Sequence, residues 1–105
     1  ELLMLAVRRR PDDAKAYKYL GYCHLKLNSV GEAIKAYESA LGLDQSDWEI
    51  GRSLGVAYML KAISGGDESM KAKAVEQWRA SLDVEPNQPD SEAMLKLIEK
   101  YSNGN

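Results

Sequence analysis

The sequence predicts an all-α fold, a helix-turn-helix solenoid of antiparallel helix pairs, and three observations predict it. Residues 14–47, AKAYKYLGYCHLKLNSVGEAIKAYESALGLDQSD, hold two amphipathic helical patterns separated by a turn at Asn28, Ser29, Val30 and Gly31. Within them Tyr17, Leu20, Gly21 and His24 fall at intervals of 3, 1 and 3, on one helical face, and Ala33, Tyr37, Ala40 and Leu41 share a face of the second helix. An offset of 34 residues carries the first set onto Gly51, Leu54, Gly55 and Tyr58, so the small residue after leucine and the ring three positions later both return. A period of about 34 residues is the mark of a two-helix repeat.

Taken in order, one domain spans residues 1–105. Residues 1–10 read as the end of a preceding helix, 14–47 as a repeat, 48–88 as a repeat with a seven-residue insertion, and 90–102 as a capping helix. Ala6 and Val7 with Pro11 stand 34 residues before Ala40, Leu41 and Gln45, which fits a closing helix and its stop. A chain that opens in mid-repeat, on Glu1, is expected to have further residues upstream in the full protein. Leu2, Leu3 and Leu5 are then core residues, and Arg8, Arg9 and Arg10 complement the negative end of the helix dipole. Asp12 or Asp13 caps the next helix, Ser29 with Glu32 has the spacing of a capping box, and Ser46 with Glu49 repeats it.

In the second repeat the closing set Ala74, Trp78, Ser81, Leu82, Val84 and Pro86 lies at an offset of 41, seven more than 34. Seven residues are close to two turns at about 3.6 residues each, so both helices of this pair are expected to lengthen, with Ser64-Gly65-Gly66-Asp67 at the tip. Pro86 to Asp90 ends that pair, with Asp90 or Ser91 capping the last helix. There Leu95 keeps the place of Leu54, while Lys96 and Glu99 replace the glycine and the ring, as a solvated end helix allows. Gly21 and Gly55 are placed where the helices of a pair approach closely.

Composition narrows the function. A formal charge of −2 gives no overall basic field, which argues against nucleic acid or an anionic membrane surface as partner. No apolar run approaches the roughly 18 residues of a spanning helix, and the apolar stretch Glu1 to Val7 is too short for a signal sequence and has its arginines behind it. The expectation is a soluble chain, with the cytoplasm favoured as compartment. One cysteine, Cys23, forms no intramolecular disulfide. Cys23 and His24 are neighbours on a helix and point about 100° apart, so they do not form a nucleophile and base. No second histidine or cysteine exists for a zinc site, and Gly65-Gly66 lacks the lysine and spacing of a phosphate loop. No catalytic residue, metal or cofactor is expected.

Leu20-Gly21, Ala33 with Tyr37, Ala40-Leu41 and Leu43-Asp44 together resemble the tetratricopeptide repeat family, with Gln45 where a proline is usual. The resemblance implies a right-handed superhelix whose first helices line a concave groove. It assigns to that groove Lys15, Lys18, Tyr22, Leu25 and Lys26, then Glu49, Arg52, Val56, Met59 and Leu60, and from the end helix Asp90, Ala93, Leu97, Lys100 and Tyr101. Lys15, Lys18, Lys26 and Arg52 make a basic stretch, and Tyr22, Val56, Met59 and Leu60 an apolar one, suited to a peptide or protein segment with acidic and hydrophobic residues. One subgroup of the family clamps a carboxyl-terminal carboxylate, but only Lys18 fits it here, with Tyr22 and Ser53 in the asparagine positions and Asp90 and Met94 in the last two. The implied function is a non-catalytic interaction module or scaffold. Its rivals are the interaction portion of a larger enzyme or of a secretion or assembly component, and a unit that self-assembles through its N-terminal helix.

Overall fold

The computed structural model describes residues 12–102. Within them lie five helices: α1 (Ala14–Lys26), α2 (Val30–Leu43), α3 (Trp48–Gly65), α4 (Glu68–Val84) and α5 (Ser91–Ser102). The expectations for residues 1–10 and for the stop at Pro11 lie outside the described part.

Each helix starts and stops for a local reason. The Asp13 carboxylate accepts from the backbone N–H of Lys15 and Ala16 at 3.0 and 3.3 Å and so caps α1. Asn28 then takes a positive φ of 62°, a left-handed conformation that asparagine tolerates, and turns the chain into α2. The turn is shorter than its composition suggests, because Val30 and Gly31 are already helical. Ser29 stands at the cap position of α2, yet its side chain makes no capping hydrogen bond. The second expected box is also displaced. Asp47 caps α3 through the N–H of Glu49 at 3.0 Å, while Ser46 instead donates its hydroxyl to Asp44 at 2.6 Å. At the start of α3 the carboxylate takes the N–H because a charged acceptor binds it more strongly than a hydroxyl does.

α1 and α2 have 13 and 14 residues, α3 and α4 have 18 and 17, so both helices of the second pair are the longer ones. Gly66 closes α3 at φ 67°, and Asp67 caps α4 through the N–H of Ser69. Consecutive helices pack on one another, α3 on α4 most extensively and α4 on α5 least. The core they enclose centres on Tyr37, Ile50 and Leu54, with Tyr58, Trp78, Met94 and Ile98 around it.

Both glycines do what their positions require. A Cβ on Gly21 would lie 2.9 Å from three ring atoms of Tyr37, and one on Gly55 would lie 2.5 Å from the Trp78 indole and 3.1 Å from the Ala74 carbonyl. Ser81, in the place of Ala40, is 2 % exposed and donates its hydroxyl to the Trp48 carbonyl at 2.8 Å, and Gln88 Nε2 donates back to that hydroxyl oxygen.

The end helix is rotated from its expected setting. Leu95 is 56 % exposed where Leu54 is 1 % exposed, and Met94 and Ile98 supply the buried face instead. Asp90, at φ 59°, resets the phase of the chain before α5 begins, so an offset measured through one helix pair does not carry across the loop. His24 is half-buried and lies outside the core cluster that includes its counterpart Tyr58.

Gly55→Ala is expected to lower unfolding free energy by about 1–3 kcal/mol, because overpacking against a rigid indole outweighs the roughly 1 kcal/mol that alanine adds to a helix. Gly21→Leu should do at least the same. Gly42, which has open space around its Cβ direction, should accept alanine without loss. Urea denaturation of the three variants checks the assignment, and an unchanged midpoint for Gly55→Ala rejects it.

Candidate functional site

The exposed positions of α1 and α3 form a two-helix strip. Along α1, Lys15, Lys18, Tyr22 and Lys26 recur every three or four residues, as do Glu49, Arg52, Val56, Leu60 and Ile63 along α3. Tyr22, Val56, Leu60 and Ile63 leave apolar surface open, with Tyr22 53 % exposed. Lys26 lies over the Tyr22 ring, its Nζ 5.3 Å from the centroid, which holds a cation at the edge of this apolar surface.

Several residues expected to line a groove are committed elsewhere. Met59 is 6 % exposed and belongs to the core, because it sits one residue beyond Tyr58 on the wide buried side of α3; it is no groove residue. Leu25 is half-buried against the same core. Lys18 Nζ donates to Asp47 at 2.9 Å and to Glu49 at 3.0 Å, tying α1 to the start of α3. Burial on its own lowers the Lys18 ammonium, but the hydrogen bonds to Asp47 and Glu49 and their charges outweigh it and hold the group above its ordinary range. Arg52 Nη1 donates to the Pro89 carbonyl at 2.7 Å and anchors the loop before α5. Lys15 and Lys26 remain without an ion pair among the described residues. From the end helix, Ala93, Leu97 and Lys100 are exposed, but α5 packs on α4 and makes no close backbone approach to α3.

On the other side of α3 lies a feature that the sequence reading missed, a cleft of about 530 Å³ between α2 and α4. Gly51, Leu54 and Tyr58 of α3 line it together with Glu38, Leu41 and Gly42 of α2 and Gln77, Ala80, Ser81 and Val84 of α4, and Gln45, Asp47 and Trp48 lie at one end. The Tyr58 hydroxyl donates to Glu38 Oε2 at 2.6 Å. Burial, then the Glu38 carboxylate accepting that proton, pushes the Tyr58 phenol well above its usual range. Burial also raises Tyr37, against an opposing hydrogen bond with Ser53. A helical glycine at 51 was the available signal, since it stands where the first repeat has Tyr17.

Among the described residues no group of three His, Cys, Asp or Glu side chains is placed to hold a metal ion, and no helix is long and apolar enough to cross a membrane. Neither a family model nor a curated protein matches the chain.

Lys18→Met should lower stability by about 0.5–1 kcal/mol, the range for a partly exposed ion pair, and the loss should shrink in high salt. Lys18, Tyr37 and Tyr58 all hold their protons more tightly folded than their ordinary values of 10.5, 10.0 and 10.0. Their contribution is therefore complete below about pH 10 and disappears as pH rises through the folded values. Urea midpoints should be level up to that pH and fall above it, and Tyr58→Phe should make the fall shallower.

Proposed function

We propose that the chain is a non-catalytic interaction module of the tetratricopeptide repeat type, which holds a peptide or protein segment along α1 and α3. The observation that carries this reading is the exposed strip of Tyr22, Val56 and Leu60 on two helices that pack on α2 and, for α3, also on α4. Helix–turn–helix pairs of unequal length stacked in sequence, with a glycine under a ring in each pair, support the family assignment. A rigid two-helix face with apolar anchors at intervals of one turn suits a segment presenting apolar side chains every three to four residues. Lys15 and Lys26 flank that surface and favour acidic residues beside the apolar ones in the bound segment. Lys18 and Arg52 contribute to the fold more than to such a ligand, because each already donates to protein acceptors.

The test is selection from a library of acidic and apolar peptides, followed by affinity measurement with folded variants. Tyr22→Ala and Leu60→Ala should each weaken the selected peptides about tenfold, the loss of an apolar anchor at roughly 1.4 kcal/mol. Lys15→Glu with Lys26→Glu should mainly slow association and lessen its dependence on salt. Peptides bound equally well by all variants would move the site off this strip, and a library yielding none would remove the reading.

A further inference from the structure

The cleft between α2 and α4 has a construction that packing alone does not explain. Gly51 is the fourth residue of α3 and is buried, and a Cβ there would make ordinary contacts with α4, 3.6 Å from the Ser81 Cβ and 3.8 Å from the Gln77 carbonyl oxygen. Gly42, on the facing wall, has nothing within 4 Å. Unlike Gly21 and Gly55, neither glycine is demanded by a neighbouring ring, and both line the cleft. Its volume falls within the range of ligand pockets, roughly 300–1,000 Å³.

The lining chemistry has one sign. Glu38 and Asp47 are its charged residues, and no lysine or arginine is among the residues that form it. Two cations touch lining residues from outside the lining: Lys18 is held by Asp47 and Glu49, and Lys73 lies over the Tyr58 ring, 5.8 Å from its centroid. Glu38 receives the Tyr58 hydroxyl on Oε2 and makes no ion pair among the described residues. Trp48 supplies an aromatic surface and Gln45 and Gln77 supply amides to the lining.

We propose that this cleft is a second binding site, distinct from the α1–α3 strip, for the arginine side chain of a basic partner segment. The aliphatic stem lies between Leu41 and Val84, and the guanidinium donates to the Glu38 carboxylate. A planar guanidinium suits this lining better than an ammonium, because it offers several donors in a fixed fork to one carboxylate.

The test uses the whole chain and two capped tripeptides, one with arginine between glycines and one with citrulline, its neutral counterpart of nearly the same shape. In amide NMR titrations the arginine peptide should produce saturable shifts at Leu41, Gly42, Gly51, Ala80 and Val84, and citrulline should bind at least about tenfold more weakly. Glu38→Gln should abolish the preference between the two peptides. Gly51→Leu, checked by its thermal midpoint, should block the cleft while leaving shifts at Tyr22 and Leu60 unaffected by either peptide. Equal binding of arginine and citrulline, an unchanged preference in Glu38→Gln, or shifts confined to Tyr22, Val56 and Leu60 would each overturn the proposal.

Discussion

The contact on which the rest depends is a ring laid against a helix backbone. Tyr37 covers Gly21 and Trp78 covers Gly55, each at a distance that leaves no room for a methyl group. This sets how closely the helices of each pair approach. Closeness in turn decides which side chains fit between them, so alanines at 33, 40, 57, 62 and 74 are buried along the same seams. A large flat side chain facing a glycine also buries more apolar area than two mid-sized residues facing one another, since the ring contacts backbone as well as side chains. The glycine's cost to the helix, about 1 kcal/mol, is small beside the burial of a tyrosine or tryptophan.

α3 is the element through which both pairs are joined. Its buried side is unusually wide, running from Ile50 and Gly51 through Leu54, Ala57, Tyr58 and Met59 to Ala62, because it packs on α2 as well as α4. That width leaves only a narrow exposed stripe. Lys18 and Arg52 hold the two ends of the arrangement in place by polar contacts, one reaching the start of α3 and the other leaving α3 for Pro89. Ser81 and Gln88 add a third fastening, from α4 and its following loop to the first carbonyl of α3.

Much of this was legible in the residues, and the parts that were not have physical reasons. The five helices among the described residues, the lengthened second pair and the roles of Gly21 and Gly55 followed from periodicity, because a repeated spacing constrains which faces meet. Caps were less legible. Ser29 and Ser46 have the right neighbours in sequence, but the cap is decided by which side chain reaches a free N–H with the strongest acceptor, and Asp47 stood one residue away. The phase of α5 was lost because Asp90 adopts a left-handed turn that no offset reveals. Met59 was misplaced because a spacing argument finds one stripe of a helix, while a helix packed on two sides buries far more than one stripe. The charges of Lys18 and Arg52 were visible, but their partners at 47, 49 and 89 were not, since these contacts join segments 29 to 37 residues apart.

The same limit hid the cleft. A pocket is a relation between elements, and its lining here draws on α2, α3, α4 and the segment before α3 at once. What the sequence does carry is the distinction between two kinds of helical glycine. Gly21 and Gly55 are followed three residues later by His24 and Tyr58 and belong to the repeated pattern, whereas Gly51 takes the place of Tyr17 and breaks it. A glycine that a neighbouring ring requires reports on packing. Gly51 meets no such ring and rests on α4 at ordinary contact distances, and the carboxylate of Glu38 sets the charge that an entrant to the cleft must bring.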